Sequence, residues 1–117
     1  MVEIGSIAQA LQRGKGGFVR RVFTEAEQSY CEGKHPKYQH YAGRFAAKEA
    51  FFKALGLGWR KGLRWKEIEV IPDKLGKPQL QLYGKAKTIA DQLGVHGIHL
   101  SISHTQQLAI AVVILSR

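Results

Sequence analysis

Two hydrophobic periods occur along this 117-residue chain, one typical of helices and one of strands. The helical spacing predicts helices over residues 6–12, 24–32, 38–55 and 84–94. Alternation of apolar and polar residues predicts strands over residues 65–71, 79–83 and 99–103, and residues 2–4 resemble the end of a strand. The run LAIAVVIL at residues 108–115 has no polar alternation, which predicts a central strand buried on both faces.

The order of these elements predicts an α+β protein, with a mostly antiparallel sheet packed against one long helix. Thr24 and Glu27 form a capping-box pattern at the start of a helix. The turn PDKLGKP joins two strands into a hairpin and places Gly76 where a positive φ is expected. No linker, internal repeat or low-complexity tract divides the chain, so residues 1–117 are interpreted as a single domain.

The long predicted helix has an unusual division of side chains. At helical spacing its small residues share one side, namely Gly43, Ala46, Ala47, Ala50 and Ala54, which lets the helix lie close to strands. The other side mixes charged and aromatic residues: Tyr41, Arg44, Phe45, Lys48, Glu49, Phe52 and Lys53. One interpretation is a surface ion pair between Glu49 and Lys53. The other is a cleft wall, with cations for phosphate, a carboxylate for Mg²⁺ and rings for an organic ligand.

The segment HLSISHT at residues 99–105 is the second candidate site. Ser101 and Ser103 share one side of the predicted strand, and His104 stands where the chain leaves the sheet. These residues either bond their own turn or hold a phosphate at the sheet edge, and the sequence alone favours neither interpretation.

Cysteine and histidine content argues against two classes of site. A lone Cys31 excludes an internal disulfide framework and indicates a reducing compartment. Five histidines without a second cysteine do not make a structural zinc site. No apolar run reaches the length of a membrane span, and residues 1–11 lack the pattern of a signal peptide, so we expect a cytoplasmic protein with no membrane partner.

The charge of the chain indicates an anionic partner. Eighteen Lys and Arg against nine Asp and Glu give a formal net charge of +9. Nucleic acid, a phosphate-rich cofactor and an acidic protein are all compatible with this charge. The basic stretch RGKGGFVRR at residues 13–21 is interpreted either as a solvated loop or as a docking patch for an acidic partner.

Several segments together resemble one known family. FTEAE, AGRFAAKEAFFKALGLG, WKEIEV, GKP and HLSISHT, in this order and spacing, are similar to the holo-[acyl-carrier-protein] synthases, the single-domain branch of the 4′-phosphopantetheinyl transferases. The resemblance covers nearly the whole chain. It implies Mg²⁺-dependent transfer of 4′-phosphopantetheine from coenzyme A to a serine of apo-acyl carrier protein, with release of adenosine 3′,5′-bisphosphate. It also implies a homotrimer with sites between subunits.

The same resemblance assigns expected roles to individual residues. Glu49 is expected to hold Mg²⁺, and Lys53 is expected at the pyrophosphate and its leaving group. The expected ligands of coenzyme A are Arg44, Phe45, Lys48, Lys53, Pro78, Ser103, His104 and Thr105. Because acyl carrier proteins are acidic, the candidates for docking this partner are Arg13, Lys15, Arg20 and Arg21.

Two departures from the family pattern concern the start of the sequence. The family begins with a G-x-D-[IL]-V-E strand whose Asp is a second Mg²⁺ ligand, whereas this sequence starts at MVE. Glu3 would point away from that position in a strand. We expect a start codon assigned too far downstream and a first strand that is truncated here. An arginine used on the carrier protein in the family is replaced by Gly5 and Ser6.

Two other functions compete with the transferase. The first is a non-catalytic module that binds coenzyme A or a carrier protein, in which Mg²⁺ changes nothing. The second is a small basic nucleic-acid binder, whose affinity would depend steeply on salt. The nucleic-acid hypothesis leaves Glu49, Lys53 and the SISHT segment unexplained, so we expect no nucleic-acid partner.

Overall fold

A computed structural model describes residues 1–14, 16–56 and 62–117. The candidate docking residue Lys15 lies outside these ranges. The described helices are α1 (Ile4–Arg13), α2 (Gly17–Val22), α3 (Glu25–Glu32), α4 (Lys37–Leu55) and α5 (Gly84–Gln92). The strands are β1 (Val2–Glu3), β2 (Ile68–Pro72), β3 (Pro78–Leu82), β4 (Gly97–His104) and β5 (Leu108–Ser116). None of the described helices is long and apolar enough to span a bilayer.

The strands of the described residues pair antiparallel and divide between two sheets. One sheet has the order β1-β5-β4, and the other is the hairpin of β2 and β3. The predicted α+β class, with antiparallel pairing and one long helix, is confirmed. Gly76 has a φ of 86°, as the turn between β2 and β3 was expected to require.

In the first half of α4, the side of the helix that carries small residues faces the strands. A Cβ added to Gly43 would lie 2.9 Å from Cγ2 of Ile102 on β4, so only glycine allows this approach. Ala46 and Ala47 are also buried, whereas Ala54 near the helix end is exposed. The prediction for this side is therefore confirmed for its first half and wrong at its end.

β5 is central in its sheet, but the prediction that both its faces are buried is wrong. Ile110, Val112 and Ile114 are 42%, 53% and 58% exposed, respectively. Alternate residues of a strand point to opposite faces, and α4 covers only one of them in the single chain. The other face of β5 is an exposed apolar surface.

Two further sequence predictions differ from the structure. The strand predicted from residue 65 begins at Ile68, because Trp65–Glu67 forms a turn of 3-10 helix. The side chain of Glu67 accepts a hydrogen bond from the Arg64 N–H at 3.0 Å, which caps this turn. The basic stretch at residues 13–21 is not only a loop, since α2 begins at Gly17 and carries Arg20 and Arg21.

Candidate active site

A pocket opens on one side of α4 and contains three of the expected coenzyme A ligands. Its volume is about 150 Å³. Arg44 contributes from α4, Pro78 from the start of β3 and His104 from the end of β4. Elements distant in sequence thus bring together a guanidinium, a proline ring and an imidazole, a combination suited to an anion attached to a flat organic group.

Arg44 is buried in this pocket and packs against an aromatic ring. Its side chain is almost buried, with 5% of the residue exposed, and its Cζ lies 4.0 Å from the ring centroid of Tyr30. The Nε–H is buried and has no hydrogen-bond acceptor among the described residues. An unsatisfied buried donor is costly, so this guanidinium is prepared for an acceptor that comes from outside the chain.

His40 completes the imidazole side of the pocket. Its ring centroid lies 5.7 Å from that of Tyr30 and 6.3 Å from that of His104. Burial lowers the pKa of His40, and the charge of Arg44 and the neighbouring His104 and Lys34 lower it further. The unliganded pocket therefore favours a neutral imidazole, which a bound anion would shift toward its charged form.

The residues of the SISHT segment do not all reach this pocket. His104 lies in it, but Ser103 pairs with Ile110 of β5 and belongs to the opposite, exposed face of the strand. Thr105 uses its hydroxyl oxygen to accept hydrogen bonds from the N–H groups of Gln107 and Leu108, at 3.2 and 3.1 Å. Within one chain the structure thus gives Thr105 the turn-forming role and separates Ser103 from Arg44.

Glu49 and Lys53 lie on a different side of α4 from Arg44. Glu49 is five positions after Arg44, which places the two side chains well apart around the helix axis. Glu49 is partly exposed and Lys53 is exposed, and no ion pair joins them or pairs either with another described residue. The interpretation of these two residues as a structural surface ion pair is therefore wrong.

Aromatic rings flank the α4 turn that carries Glu49. Phe45 and Phe52 are one turn before and after it, and both contact Trp65, with centroid distances of 4.9 and 5.4 Å. Phe45 also contacts Phe18 at 5.9 Å. The rings belong to the core clusters on that side of α4, so the expected contact of Phe45 with a nucleotide is not in the Arg44 pocket.

Lys48 is placed differently from the expectation that it holds the nucleotide. Its side chain has no exposed surface, and its Nζ lies 2.7 Å from Oε1 of Glu27. The same ammonium donates to the carbonyl oxygens of Val22 and Trp65, at 2.6 and 3.3 Å. Burial lowers the pKa of Lys48, and the Glu27 carboxylate opposes this effect. Since each N–H of the ammonium has an internal acceptor, none remains for a phosphate.

The described residues contain no cluster of three or more potential metal-ligating side chains. A single partly exposed carboxylate, Glu49, still fits Mg²⁺, because this ion takes one or two carboxylates and completes its shell with substrate phosphate oxygens and water. A closed all-protein site is therefore not required of this chain.

The three described candidate docking residues lie on the first two helices of the chain. Arg13 ends α1, and Arg20 and Arg21 lie in the last turn of α2, all three exposed. Arg20 and Arg21 also border a cavity of about 470 Å³, whose other described lining residues are Leu63, Arg64, Trp65 and Lys66. The result is a basic surface with an apolar floor.

Sequence reasoning missed two side chains of the Arg44 pocket. His40 is one helical turn before Arg44, so i, i+4 spacing would have found it. Tyr30 is on α3 and reaches Arg44 only through the packing of two helices, for which the sequence has no local signal.

Comparisons with known proteins agree on one family. A family model described as the 4′-phosphopantetheinyl transferase superfamily matches residues 1–113. The holo-[acyl-carrier-protein] synthase of Geobacter sp. (strain M21) is 47% identical over 117 residues, which are 100% of this chain and 94% of the relative. The chain belongs to the holo-[acyl-carrier-protein] synthases. It is therefore an enzyme of the phosphopantetheinyl transferase class, and the resemblance found in the sequence is confirmed.

Solved holo-[acyl-carrier-protein] synthases have the same fold. The Helicobacter pylori enzyme, in complex with coenzyme A, superposes with a TM-score of 0.86 at 33% identity, over 98% of this chain and 95% of that one. The Chronobacterium ammoniagenes enzyme, also a coenzyme A complex, has a TM-score of 0.79 at 31% identity, over 99% and 93% of the two chains. The Neisseria meningitidis enzyme has a TM-score of 0.88 at 30% identity, over 99% and 93%.

Proposed function

We propose that this chain transfers 4′-phosphopantetheine from coenzyme A to a serine of an apo-acyl carrier protein and releases adenosine 3′,5′-bisphosphate. The observation that carries the proposal is the pocket in which Arg44, His104 and Pro78 meet, with a buried guanidinium N–H that has no acceptor in the described chain. Relatives with this fold have been crystallised with coenzyme A, which fits a pocket for an anionic nucleotide.

The Arg44 pocket takes the nucleotide end of coenzyme A. Arg44 donates charge-assisted hydrogen bonds to a phosphate group, and its ring neighbour Tyr30 fixes the plane of the guanidinium. His40 is the nearby imidazole that gains a proton as the phosphate approaches, and the ring of His104 lies 6.3 Å from it. Pro78 provides an apolar surface for the base or ribose.

Glu49 and Lys53 act at the pyrophosphate. Glu49 would hold Mg²⁺, and this ion would neutralise charge that develops on the phosphoryl group. Lys53, exposed one turn later on α4, places its ammonium at the leaving phosphate and offsets the charge that the leaving group acquires. Positioning and charge neutralisation are what phosphoryl transfer requires of an enzyme.

The reaction balances without a nucleophile from this chain. The serine oxygen of the carrier protein forms a bond to the phosphorus of the phosphopantetheine, and the bond from this phosphorus to the bridging oxygen breaks. The electron pair leaves with adenosine 3′,5′-bisphosphate, and the serine proton passes to solvent or to the leaving phosphate. Because the carrier protein supplies the nucleophile, this chain needs only acidic, basic and aromatic residues to bind the substrate and neutralise its charge.

The carrier protein docks on the basic surface of the N-terminal helices. Arg13, Arg20 and Arg21 are exposed cations, and the last two border the cavity that Leu63 and Trp65 also line. An acidic partner would be steered to this surface over a distance set by the salt concentration. Lys15, whose sequence position is in the same stretch, is part of this proposal.

Replacement of Arg20 and Arg21 by Glu tests this dock. We expect the KM for the carrier protein to rise about tenfold or more, because two attractive charges become repulsive ones. The KM for coenzyme A should stay unchanged, and the effect should weaken with added salt. Steady-state kinetics at two ionic strengths measure this, with Lys85→Glu/Lys87→Glu, a double reversal at exposed positions of α5, as the control of equal charge change. An equal rise for both variants would contradict the dock.

We further propose a cytoplasmic homotrimer with shared sites. The exposed apolar face of β5, formed by Ile110, Val112 and Ile114, is a surface that association would cover. Ser103 is on this outward face, so in an assembly it would meet a neighbouring subunit rather than its own Arg44. Light scattering after size exclusion tests this, since Val112→Lys should shift the trimer to monomer. A wild-type chain that is monomeric at micromolar concentration would contradict the assembly.

Product analysis tests the transfer itself. The chain is incubated with coenzyme A, Mg²⁺ and an apo-acyl carrier protein, and adenosine 3′,5′-bisphosphate is quantified by chromatography. We expect one nucleotide released per carrier protein, with no release when the acceptor serine is replaced by alanine or when EDTA is added. Binding of coenzyme A without release would instead identify the non-catalytic binding module.

A further inference from the structure

A buried ion pair between Lys48 and Glu27 lies at the α4 turn that carries Glu49. Lys48 precedes Glu49 in the sequence, and neither its side chain nor that of Glu27 has exposed surface. Besides the Lys48 ammonium, the Glu27 carboxylate accepts hydrogen bonds from the N–H groups of Thr24 at 2.9 Å and Val70 at 2.7 Å. The pair therefore joins α4 to the first turn of α3 and to β2 through directional bonds.

The same ammonium holds the aromatic wall beside Glu49. Its acceptor Trp65 belongs to the short 3-10 turn and reaches both Phe45 and Phe52, the residues one turn before and after Glu49. Lys48 thus fixes the backbone of Trp65, whose ring spans the turn of α4 that presents the carboxylate.

We propose that Lys48, together with Glu27, is a positioning residue for the transfer reaction, which holds Trp65 against α4 and fixes the turn that presents Glu49. This inference rests on the role of Glu49 in the proposed function. Lys48 acts through Trp65 and α4 and does not itself touch the substrate.

Energetics favour a positioning role over a purely stabilising one. A buried ion pair is often no more stabilising than apolar residues of equal volume, because removing two charges from water is costly. The ion pair differs from apolar packing because its hydrogen bonds are directional. Each bond of Lys48 and Glu27 requires a particular carbonyl or N–H at a set distance. A site in which Glu49 must meet a metal ion and a phosphate needs such fixed placement.

Two variants and one control test the inference. Lys48→Met removes the ammonium at similar volume, and the double variant Lys48→Met/Glu27→Leu also removes the carboxylate that would be left buried without a partner. Leu100→Ala is the control, because Leu100 is a buried residue of β4 in a core cluster that contains neither Lys48 nor Trp65. Circular dichroism establishes which variants are folded at the assay temperature.

Two readouts separate positioning from stability. The first is the Mg²⁺ concentration for half-maximal transfer, which we expect to rise about tenfold in both Lys48 variants, the lower end of the effect seen for residues bonded directly to metal ligands, because Lys48 acts on Glu49 through Trp65 and α4. The second is acrylamide quenching of Trp65 in a Trp59→Phe background, which we expect to increase. The KM for coenzyme A should stay within about twofold. Leu100→Ala should lower Tm and leave both readouts unchanged.

The outcomes distinguish this inference from the proposed function. Unchanged Mg²⁺ dependence and unchanged quenching in a folded Lys48 variant would overturn the positioning role while the wild-type chain remains active. If Lys48→Met does not fold, the double variant decides by the same two readouts. A wild-type chain that transfers nothing would overturn the proposed function, and the quenching comparison would still show whether Lys48 holds Trp65.

Discussion

The two polar sides of α4 differ in how far the chain prepares them for a ligand. On one side Arg44 is buried, stacked on Tyr30 and enclosed with His40 and His104. On the other side Glu49 is partly exposed and has no ion-pair partner within the described ranges. A preorganised cation suits binding, whereas an open carboxylate suits a metal ion that arrives with its substrate. We therefore propose that the Arg44 side contributes mainly to affinity and the Glu49 side mainly to rate.

The largest effect should follow from Glu49→Gln. This change keeps the shape of the side chain but removes the charge that holds Mg²⁺, so we expect transfer to fall about 10²–10³-fold. Affinity for adenosine 3′,5′-bisphosphate, measured by calorimetry without Mg²⁺, should be unchanged, because this ligand uses the Arg44 side. Glu25→Gln, at an exposed position of α3, is the control and should leave transfer unaltered. Retained transfer in Glu49→Gln would refute the metal role.

Lys53→Ala should separate rate from affinity on the same side of α4. If the ammonium acts on the leaving group, kcat falls about 10²-fold while the KM for coenzyme A changes within about twofold. Steady-state kinetics with coenzyme A as the varied substrate measure the split. Lys87→Ala removes an exposed ion pair with Asp91, worth little, and is the matched control. Equal losses in kcat and in affinity would contradict a role confined to the leaving group, and a higher KM with unchanged kcat would show that Lys53 binds ground state and transition state alike.

Arg44→Gln should lower nucleotide affinity more than kcat, which is the opposite of the effect expected for Lys53→Ala. A charged hydrogen bond contributes about 1.5–3 kcal/mol, so the affinity for adenosine 3′,5′-bisphosphate should fall about tenfold or more. At saturating coenzyme A, kcat should change less than in Lys53→Ala. Calorimetry and kinetics are compared with Arg117→Gln, an exposed arginine at the end of the chain. Unchanged affinity in Arg44→Gln would place the nucleotide elsewhere.

The smallest effect concerns the pH dependence of stability through His40. Burial next to Arg44 and His104 lowers the pKa of His40, so the unfolded chain binds more protons than the folded one near the ordinary histidine pKa. The free energy of unfolding should therefore decrease as the pH falls from the ordinary histidine pKa to the lowered pKa of folded His40. Urea unfolding between pH 8 and pH 5.5 measures this slope.

His40→Gln should reduce that slope, and adenosine 3′,5′-bisphosphate should bind more tightly to the wild type as the pH falls. Nucleotide phosphate favours the imidazolium, which reverses the preference of the empty pocket. A slope identical in wild type and His40→Gln would contradict the assigned environment of this histidine.

Local signals made the helices predictable. The α4 boundaries follow from composition and spacing, and the capping box at Thr24 forms as expected, with the Thr24 hydroxyl accepting from the Glu27 N–H at 3.2 Å. Such features depend on residues within one or two helical turns, so a single sequence contains the necessary information.

The burial of Lys48 could not be predicted in the same way. Its partner Glu27 lies 21 residues away on another helix, and the carbonyl oxygens that it contacts belong to elements whose packing the helical pattern does not specify. In sequence, Lys48 and Lys53 look alike as cations on the polar arc of α4. Tertiary contacts alone make one an internal ion pair and leave the other exposed.

The β4–β5 hairpin contains one feature that local sequence indicates and one that it does not. Alternation along β4 separates Ser103 from His104, so the sequence already indicates that only one of the two can line the Arg44 pocket within one chain. The exposed face of β5 is different. Apolar residues on both faces of a strand indicate that both faces are buried, but nothing in the part of the single chain that the structure describes covers the second face of β5.

The central claim is that this chain moves a phosphopantetheine group with the Glu49 side of α4. The most direct measurement is the intact mass of an apo-acyl carrier protein after incubation with the 117-residue chain, coenzyme A and Mg²⁺, with parallel samples that contain EDTA or Glu49→Gln. We predict a gain of one phosphopantetheine only in the wild-type sample with Mg²⁺. No gain there, from a carrier protein that a related synthase modifies, would contradict the account.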